Sequence, residues 1–180
     1  MKKYIKYLKY IIRHKWYVFI ECAKEGYFVR GILHDMSKFL PSEFIPYANY
    51  FYGNKSDENV KQNNGYYKPK NTGNSAFEMA WFLHQKRNKH HWQWWIIKKE
   101  SGDTDFDVMP MDTKYAIEMI CDWVGAGKAQ GRKSPKNDPY KETREWYSKN
   151  NHKMMIHPYT KLYVETVIGY NVKKISKDGD

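Results

Sequence analysis

A chain of 180 residues that is 41% hydrophobic and 17% aromatic can bury one sizeable core, which excludes a disordered chain and suits a single domain. Its formal net charge of +11 favours anionic partners such as nucleotides, nucleic acid or acidic lipid heads, and the lysines are spread along the chain rather than gathered in a tail. Two cysteines, Cys22 and Cys121, exclude a disulfide framework, and their apolar neighbours predict buried free thiols in a reducing, cytoplasmic setting.

Residues 2–25 read as a helix, with Ile5, Leu8, Ile12 and Phe19 at helical spacing, lysines between them and Gly26 as the stop. Arg13, His14 and Lys15 interrupt its apolar run, so neither a signal peptide nor a bilayer-crossing segment is expected, and no membrane partner. A second helix is expected from Tyr27 to about Asp35, and a short one opens at Pro41-Ser42 with Ser42 as cap. Residues 53–74, rich in Asn, Gly, Lys and Ser, read as a mobile loop or lid. A strong helix starts near Ser75; its pattern leaves open whether it runs on through Asn88 to His91 and whether Trp92–Ile97 forms its last turns. Ser101–Asp107 reads as an acidic loop. Asp112 is placed to cap a helix Thr113–Val124 that Gly125 and Gly127 end, and a basic loop runs from Lys128 to Pro139. Helices over 139–149 and 158–174 complete the chain, with Pro158 in a first turn and 175–180 as a tail. The expectation is an all-α, single-domain helical bundle over 1–180 with no strand.

The chemistry-bearing feature is His34-Asp35, within Gly31-Ile32-Leu33-His34-Asp35-Met36-Ser37-Lys38. Adjacent histidine and aspartate offer a neutral nitrogen and an anionic oxygen at one point of the backbone, which suits a divalent metal if the fold brings further ligands. Candidates flank the pair on both sides: His14, His84, His90, His91 and Asp122. On a continuous helix His84, Asn88 and His91 would share one stripe, as Glu118 and Asp122 do one turn apart. Helical bundles build metal sites from such inward-facing residues. A His and carboxylate set without thiolate favours Fe, Mn, Zn, Co or Mg over a structural zinc-thiolate site.

The order His14, His34-Asp35, His84, His90-His91, Asp122 in an all-helical chain resembles the HD superfamily of metal-dependent phosphohydrolases. His34-Asp35-Met36-Ser37-Lys38 is similar to the His-Asp-x-Gly-Lys motif of its cyclic-dinucleotide phosphodiesterase branch, which also carries a His-His pair; the Gly-Tyr-Pro signature of that branch is absent and the step from His84 to His90-His91 is short. The chain also resembles a set of small phage and bacterial proteins with His-Asp-x-Ser-Lys, His-His-Trp and Glu-Met-x-x-Asp-Trp signatures, over roughly residues 10–125. The resemblance implies an HD-like bundle with His14, His34, Asp35 and Asp122 as the core metal site. It places Asp35 between two ions when two are present, the second using His84 and His90 or His91. It implies hydrolysis by a metal-activated water, with Asp35, Lys38 and Glu118 as the catalytic set: Lys38 on a phosphate oxygen, Glu118 orienting the water or a ligand.

Lys38, Lys86, Arg87, Lys89, Lys128 and Arg132 are candidates for substrate phosphate, although a solvated face explains the last five as well. The Trp92–Trp95 cluster reads as core rather than a base-stacking platform, Glu118 equally as a helix cap or lysine partner, and His152 and His157 as structural. Two functions follow. The first is a phosphohydrolase with one or two divalent ions acting on a nucleotide or cyclic nucleotide, in a bacterial host cytosol if phage-encoded. The second is a basic helical protein that sequesters a nucleotide or nucleic acid, with a structural or vestigial metal. The filled ligand set favours the enzyme.

Overall fold

The computed structural model describes residues 1–53, 72–100 and 106–170. Among these the chain is all-α, a single domain of seven helices and a minimal hairpin: α1 Lys2–Lys24, α2 Phe28–Leu33, α3 Pro41–Tyr52, α4 Ser75–Arg87, α5 Thr113–Ala129, α6 Lys141–Asn150 and α7 Pro158–Ile168. Most of the expected lid, 54–71, part of the acidic loop, 101–105, and the tail lie outside the described residues. No described helix is long and apolar enough to cross a membrane.

α1 has the expected length, but its buried stripe is not the one the apolar spacing marks. Tyr7, Ile11, His14, Val18 and Cys22 face inward, whereas Ile5, Leu8 and Ile12 are exposed. Aromatic and polar residues win that face because α1 packs on α5, α2 and α3 along it. α2 ends earlier than expected, at Leu33: the Nζ of Lys15 donates to the carbonyls of Ile32 and His34, satisfying the open end of the helix. Asp35 then takes φ 54°, the one left-handed non-glycine among the described residues, and a 3-10 turn follows over Met36–Phe39.

α3 is capped by Leu40, not Ser42; Pro41 occupies its first turn, and the Ser42 hydroxyl accepts from Arg87 Nη1 at 3.0 Å instead. Asn74 caps α4, accepting from the Phe77 amide at 3.0 Å. α4 stops at Arg87 because Asn88 is extended, so His90 and His91 do not continue its stripe; Trp92–Trp95 form a 3-10 turn. The expectation of no strand is corrected by a short antiparallel hairpin, β1 Ile96–Lys98 with β2 Phe106–Val108, in which Ile97 pairs with Asp107. Asp112 stands at the N-cap of α5, but its carboxylate pairs with Lys114 at 3.2 Å rather than capping.

α5 does not end at Gly125 and Gly127; it runs to Ala129. The glycines serve packing. A Cβ at Gly125 would lie 2.5 Å from Val18 Cγ2 and 2.9 Å from the Val18 amide nitrogen, so the bare backbone lets α1 and α5 approach. α7 ends at Ile168, earlier than expected, with Gly169 in the left-handed region.

Three clusters form the core. Tyr7, Ile11, Tyr47, Phe51 and Phe77 join α1, α3 and α4, with Tyr50 stacked on Phe77 at 3.9 Å. Met119, Ile120, Tyr147, Val164 and Ile168 join α5, α6 and α7. Val18, Cys22 and Cys121 weld α1 to α5, and both thiols are free and buried. The polar cluster described next draws its residues from helices of all three.

Candidate metal centre

α1 contributes His14, the end of α2 contributes His34 and Asp35, α4 contributes His84, the segment after α4 contributes His90 and His91, and α5 contributes Asp122. The structure brings all seven together in two overlapping groups, His14, His34, Asp35, Asp122 and Asp35, His84, His90, His91. In the first, His14 Nε2, His34 Nε2, Asp35 Oδ2 and Asp122 Oδ1 stand 3.1–3.5 Å apart in five of their pairings. Four donors around one ion at bond lengths of about 2.0–2.2 Å would be separated by roughly 3.3–3.6 Å if tetrahedral. In the second, His84 Nε2 and His90 Nε2 lie 3.3 and 3.4 Å from the other oxygen, Asp35 Oδ1. His91 lies beside them, its ring 4.7 Å from that of His84.

The left-handed backbone at Asp35 makes this division possible. It turns the carboxylate into the space between the two histidine groups, at a local cost of order 1–3 kcal/mol that the surroundings must hold.

Buried polar atoms almost always find partners. Here Asp35 Oδ1 and the Nε2 atoms of His84, His90 and His91 are buried and make no hydrogen bond among the described residues. The opposite ring nitrogens of His34, His84 and His90 face carboxylates, whereas His14 Nδ1 is buried without a hydrogen bond among the described residues. His34 Nδ1 and His90 Nδ1 face one oxygen of Glu118, at 3.1 and 3.2 Å, and Arg30 Nη1 donates to its other oxygen at 2.9 Å. His84 Nδ1 faces Glu43 Oε2 at 2.9 Å; the same carboxylate accepts from Ser37 Oγ at 3.0 Å and from Arg87 Nη1 at 2.7 Å. A carboxylate behind Nδ1 fixes the proton there and leaves Nε2 as a lone-pair donor, the arrangement of metal-ligating histidines. Donor type, orphaned nitrogens and spacing thus all fit a divalent cation.

Electrostatics organise the cluster. Burial pushes the Asp35 carboxyl up, but His34, Lys38 and His84 outweigh it and hold it well below the carboxylate range. Asp122 is also held well below, burial being outweighed by hydrogen bonds and charge from His14 and His34. Burial alone would lower His34, but Asp35, Asp122 and Glu118 raise it well above its ordinary value. His84 and His91 are lowered, by burial first and, at His91, by the neighbouring His90 and His84.

A cavity of about 580 Å³ opens on the cluster. His14, Lys38, His84, His90, His91 and Asp122 form its polar floor, and Tyr7, Tyr47, Phe51, Trp81, Trp92 and Trp123 are among its aromatic walls. Lys38 Nζ lies 2.5 Å from Asp35 Oδ2 within this cavity.

The candidate phosphate residues divide. Lys38 and Arg132 line the cavity, although Arg132 is paired with Glu142 at 2.7 Å. Lys86, Arg87, Lys89 and Lys128 do not line it: Lys86 donates to the Gln93 carbonyl, Arg87 to Glu43, Lys128 to Glu21, and Lys89 sits over Trp94 and Tyr115. Glu118 is neither a cap nor a lysine partner but the buried orienter of two histidines. His152 and His157 stand outside both groups, and His157 caps α7. Sequence reasoning missed Glu43 and Arg30. Glu43 reads as an ordinary acidic residue in a first helical turn, and no spacing signal links it to His84, 41 positions on.

The fold and the cluster define an all-helical protein whose buried histidines and aspartates can hold a metal ion. The chain belongs to a family of unknown function (DUF5662), whose model matches residues 3–170. No curated protein and no solved structure matches it.

Proposed function

We propose that this protein is a metal-dependent phosphohydrolase of the HD type that cleaves a phosphoester bond of a nucleotide. The observation that carries the reading is the split of one carboxylate, with Asp35 Oδ2 toward His14 and His34 and Oδ1 toward His84 and His90. His14, His34, Asp35 and Asp122 would hold one ion, and Asp35, His84, His90 and His91 a second. The donor set suits Mn, Fe, Co, Zn or Mg. Bound there, such ions supply Lewis acidity, which lowers the pKa of water and screens phosphate charge.

The remaining chemistry belongs to the chain. Lys38, kept charged by Asp35, offers at the cavity floor the donors that its pairing with Asp35 leaves for a phosphate oxygen. Glu118 and Glu43 hold the histidine rings so that Nε2 points to the centre. The aromatic walls exclude bulk water and offer flat faces to a base. The net charge of +11 draws in a polyanion.

The test is elemental analysis of the purified protein, followed by chromatography of products from nucleoside mono-, di- and triphosphates and cyclic nucleotides with added Mn, Co, Mg or Ni. Stoichiometric metal and release of a dephosphorylated or ring-opened product are expected. A metal-loaded protein that converts none of these substrates overturns the reading. Tight nucleotide binding without metal then favours the sequestering protein.

A further inference from the structure

α1 carries two patterned faces, and one of them is used inside the protein. Tyr7, Ile11, His14 and Val18 point inward. Ile5, Leu8, Ile12 and Trp16 recur at steps of three, four and four on the outer side, where they are 37–60% exposed. Beside them run Lys2, Lys6, Lys9 and Arg13, at steps of four, three and four, all exposed. Lys2, Lys6 and Lys9 enter no ion pair or hydrogen bond among the described residues, and Arg13 lies 5.8 Å over the Tyr17 ring. No acid answers them. Of the acids in residues 1–45, Glu21, Asp35 and Glu43 are buried, and Glu25, past the end of the helix, is the one exposed. The apolar surface widens at the end of α2, which Lys15 Nζ ties to α1 through the Ile32 carbonyl at 3.0 Å. Ile32 and Leu33 there are 58% and 61% exposed.

We propose that this outer face of α1 lies flat on an anionic lipid surface, with Ile5, Leu8, Ile12 and Trp16 in the acyl boundary and Lys2, Lys6, Lys9 and Arg13 on lipid phosphates. Single apolar side chains on a surface are ordinary, but a stripe at helical spacing that borders further apolar surface marks an interaction site. An apolar stripe beside a basic one, with a tryptophan among the apolar residues, is the pattern of a helix in the plane of the headgroups. Lysine stems run along the apolar boundary while their ammonium groups stay in water. Each basic side chain there gains from the negative potential of the leaflet. Charge selects between occupants. A second copy on this face would bring two basic stripes to the rim of one interface with no acid between them, whereas an anionic bilayer supplies the missing charge. A helix that lies flat needs no spanning length, so the absence of a spanning segment, on which the expectation of no membrane partner rests, does not bear on it. None of these residues is a metal-ligand candidate, so the lipid face and the metal centre stand or fall separately.

The experiment is co-sedimentation of the full chain with vesicles of phosphatidylcholine alone and of phosphatidylcholine with phosphatidylglycerol, at low and at high salt. The variants are Trp16→Ala, Lys6→Glu with Arg13→Glu, and, as a control of equal charge, Lys136→Glu with Lys149→Glu, two exposed lysines outside α1. All these positions are exposed, so the variants should fold; an unchanged thermal midpoint checks this. Wild type is expected to sediment with the anionic vesicles and not with the neutral ones, and to be released by salt. A basic side chain near an anionic surface is worth about fivefold in partitioning, so Lys6→Glu with Arg13→Glu should lower it about tenfold or more. Trp16→Ala should lower it several-fold, and the control pair much less than the α1 pair. No sedimentation with anionic vesicles at low salt, or partitioning unchanged in Trp16→Ala, overturns the proposal. An equal loss in the two double variants also overturns it, by making the binding a property of net charge alone. A stable dimer that Trp16→Ala dissociates, without vesicle binding, gives the face to a second copy instead.

Discussion

Glu118 gives the sharpest test of the two-group arrangement, because one oxygen of one side chain serves a histidine from each group. Its Oε1 lies 3.1 Å from His34 Nδ1 and 3.2 Å from His90 Nδ1, and Oε2 accepts from Arg30. The carboxyl is only 7% exposed and held below its usual range: burial pushes it up, but hydrogen bonds from His34 and His90 outweigh that. Glu118→Ala strips the acceptor from two buried donors. Each buried donor left unsatisfied costs about 1–3 kcal/mol, so the metal-free protein should lose roughly 2–6 kcal/mol. Arg30, a quarter exposed, can turn to water and adds little. Loss of an outer carboxylate typically weakens metal binding about 10–100-fold, which is about 1.4–2.7 kcal/mol. Because His34 and His90 belong to different groups, both binding events should weaken together. Of the ligand histidines Glu43 faces His84 and not His34 or His90, so Glu43→Ala should weaken one event and spare the other. Glu118→Gln keeps an oxygen in place and should fall between wild type and Glu118→Ala. The assays are manganese titration by calorimetry and urea unfolding of the chelated protein. Two manganese events that survive Glu118→Ala unchanged would refute the shared-orienter argument.

Asp35→Ala should empty or deform the centre and remove hydrolysis by several orders of magnitude, whereas Lys38→Ala should keep the metal and lose roughly 1.5–3 kcal/mol of phosphate or transition-state binding; metal content and product release, measured side by side, separate the two. Gly125→Ala drives a methyl against Val18 backbone and side chain at 2.9 and 2.5 Å, so the α1–α5 contact should loosen at a cost of about 1–3 kcal/mol, read as a lower urea midpoint, and an unchanged midpoint would contradict the close-approach reading. The metal-free protein should lose stability on acidification in two stages. His84 and His91 have lowered pKa values, so below about pH 6.5 the unfolded chain takes up protons that the folded one resists, partly offset by His34, whose raised value contributes stability below pH 6.5 that is lost as pH rises. Asp35, Asp122, Glu118 and Glu43 are depressed, so their contribution is present above about pH 4 and disappears as pH falls through their folded values; thermal midpoints flat from pH 7 to 3 would disprove this balance.

The ligand candidates were legible because metal chemistry restricts residue type more tightly than packing does. Seven His and Asp positions drawn from 14 to 122 meet in space, and the helical pattern alone was enough to expect a bundle that could gather them. Local signals failed where tertiary contacts overrode them. Ile5, Leu8 and Ile12 mark the wrong face of α1, since the helix buries a mixed stripe that carries Tyr7 and His14 toward the centre. Gly125 and Gly127 look like helix stops but are close-approach residues, a distinction invisible without knowing that Val18 and Glu142 lie opposite. Asn88 breaks α4 before His90, and the break is what lets His90 and His91 both turn toward His84. The outer carboxylates were half legible. Glu118 was visible because it shares a face with Asp122; Glu43 was not, because its partner lies across a long connection.

Two kinds of stress meet at Asp35, and together they explain why the cluster reads as a binding site rather than a packed polar core. Its backbone sits in the left-handed region, and its carboxylate is buried with one oxygen making no hydrogen bond among the described residues. A core free to optimise its own stability would relax both, with glycine at the turn or a donor at the open oxygen. The surroundings instead hold the aspartate in place: Lys15 closes α2 just before it, Lys38 pairs with its other oxygen, and Glu118 and Glu43 lock histidines on either side. In the metal-free protein His34 keeps a proton more readily than an ordinary histidine, because Asp35 and Asp122 hold negative charge beside it. A cation bound at that point would compete with this proton, which would tie metal affinity to pH through the same residues that set the geometry. The strain and the orphaned donors share one reading, a place open to positive charge on each side of Asp35, toward His14, His34 and Asp122 on one and toward His84, His90 and His91 on the other.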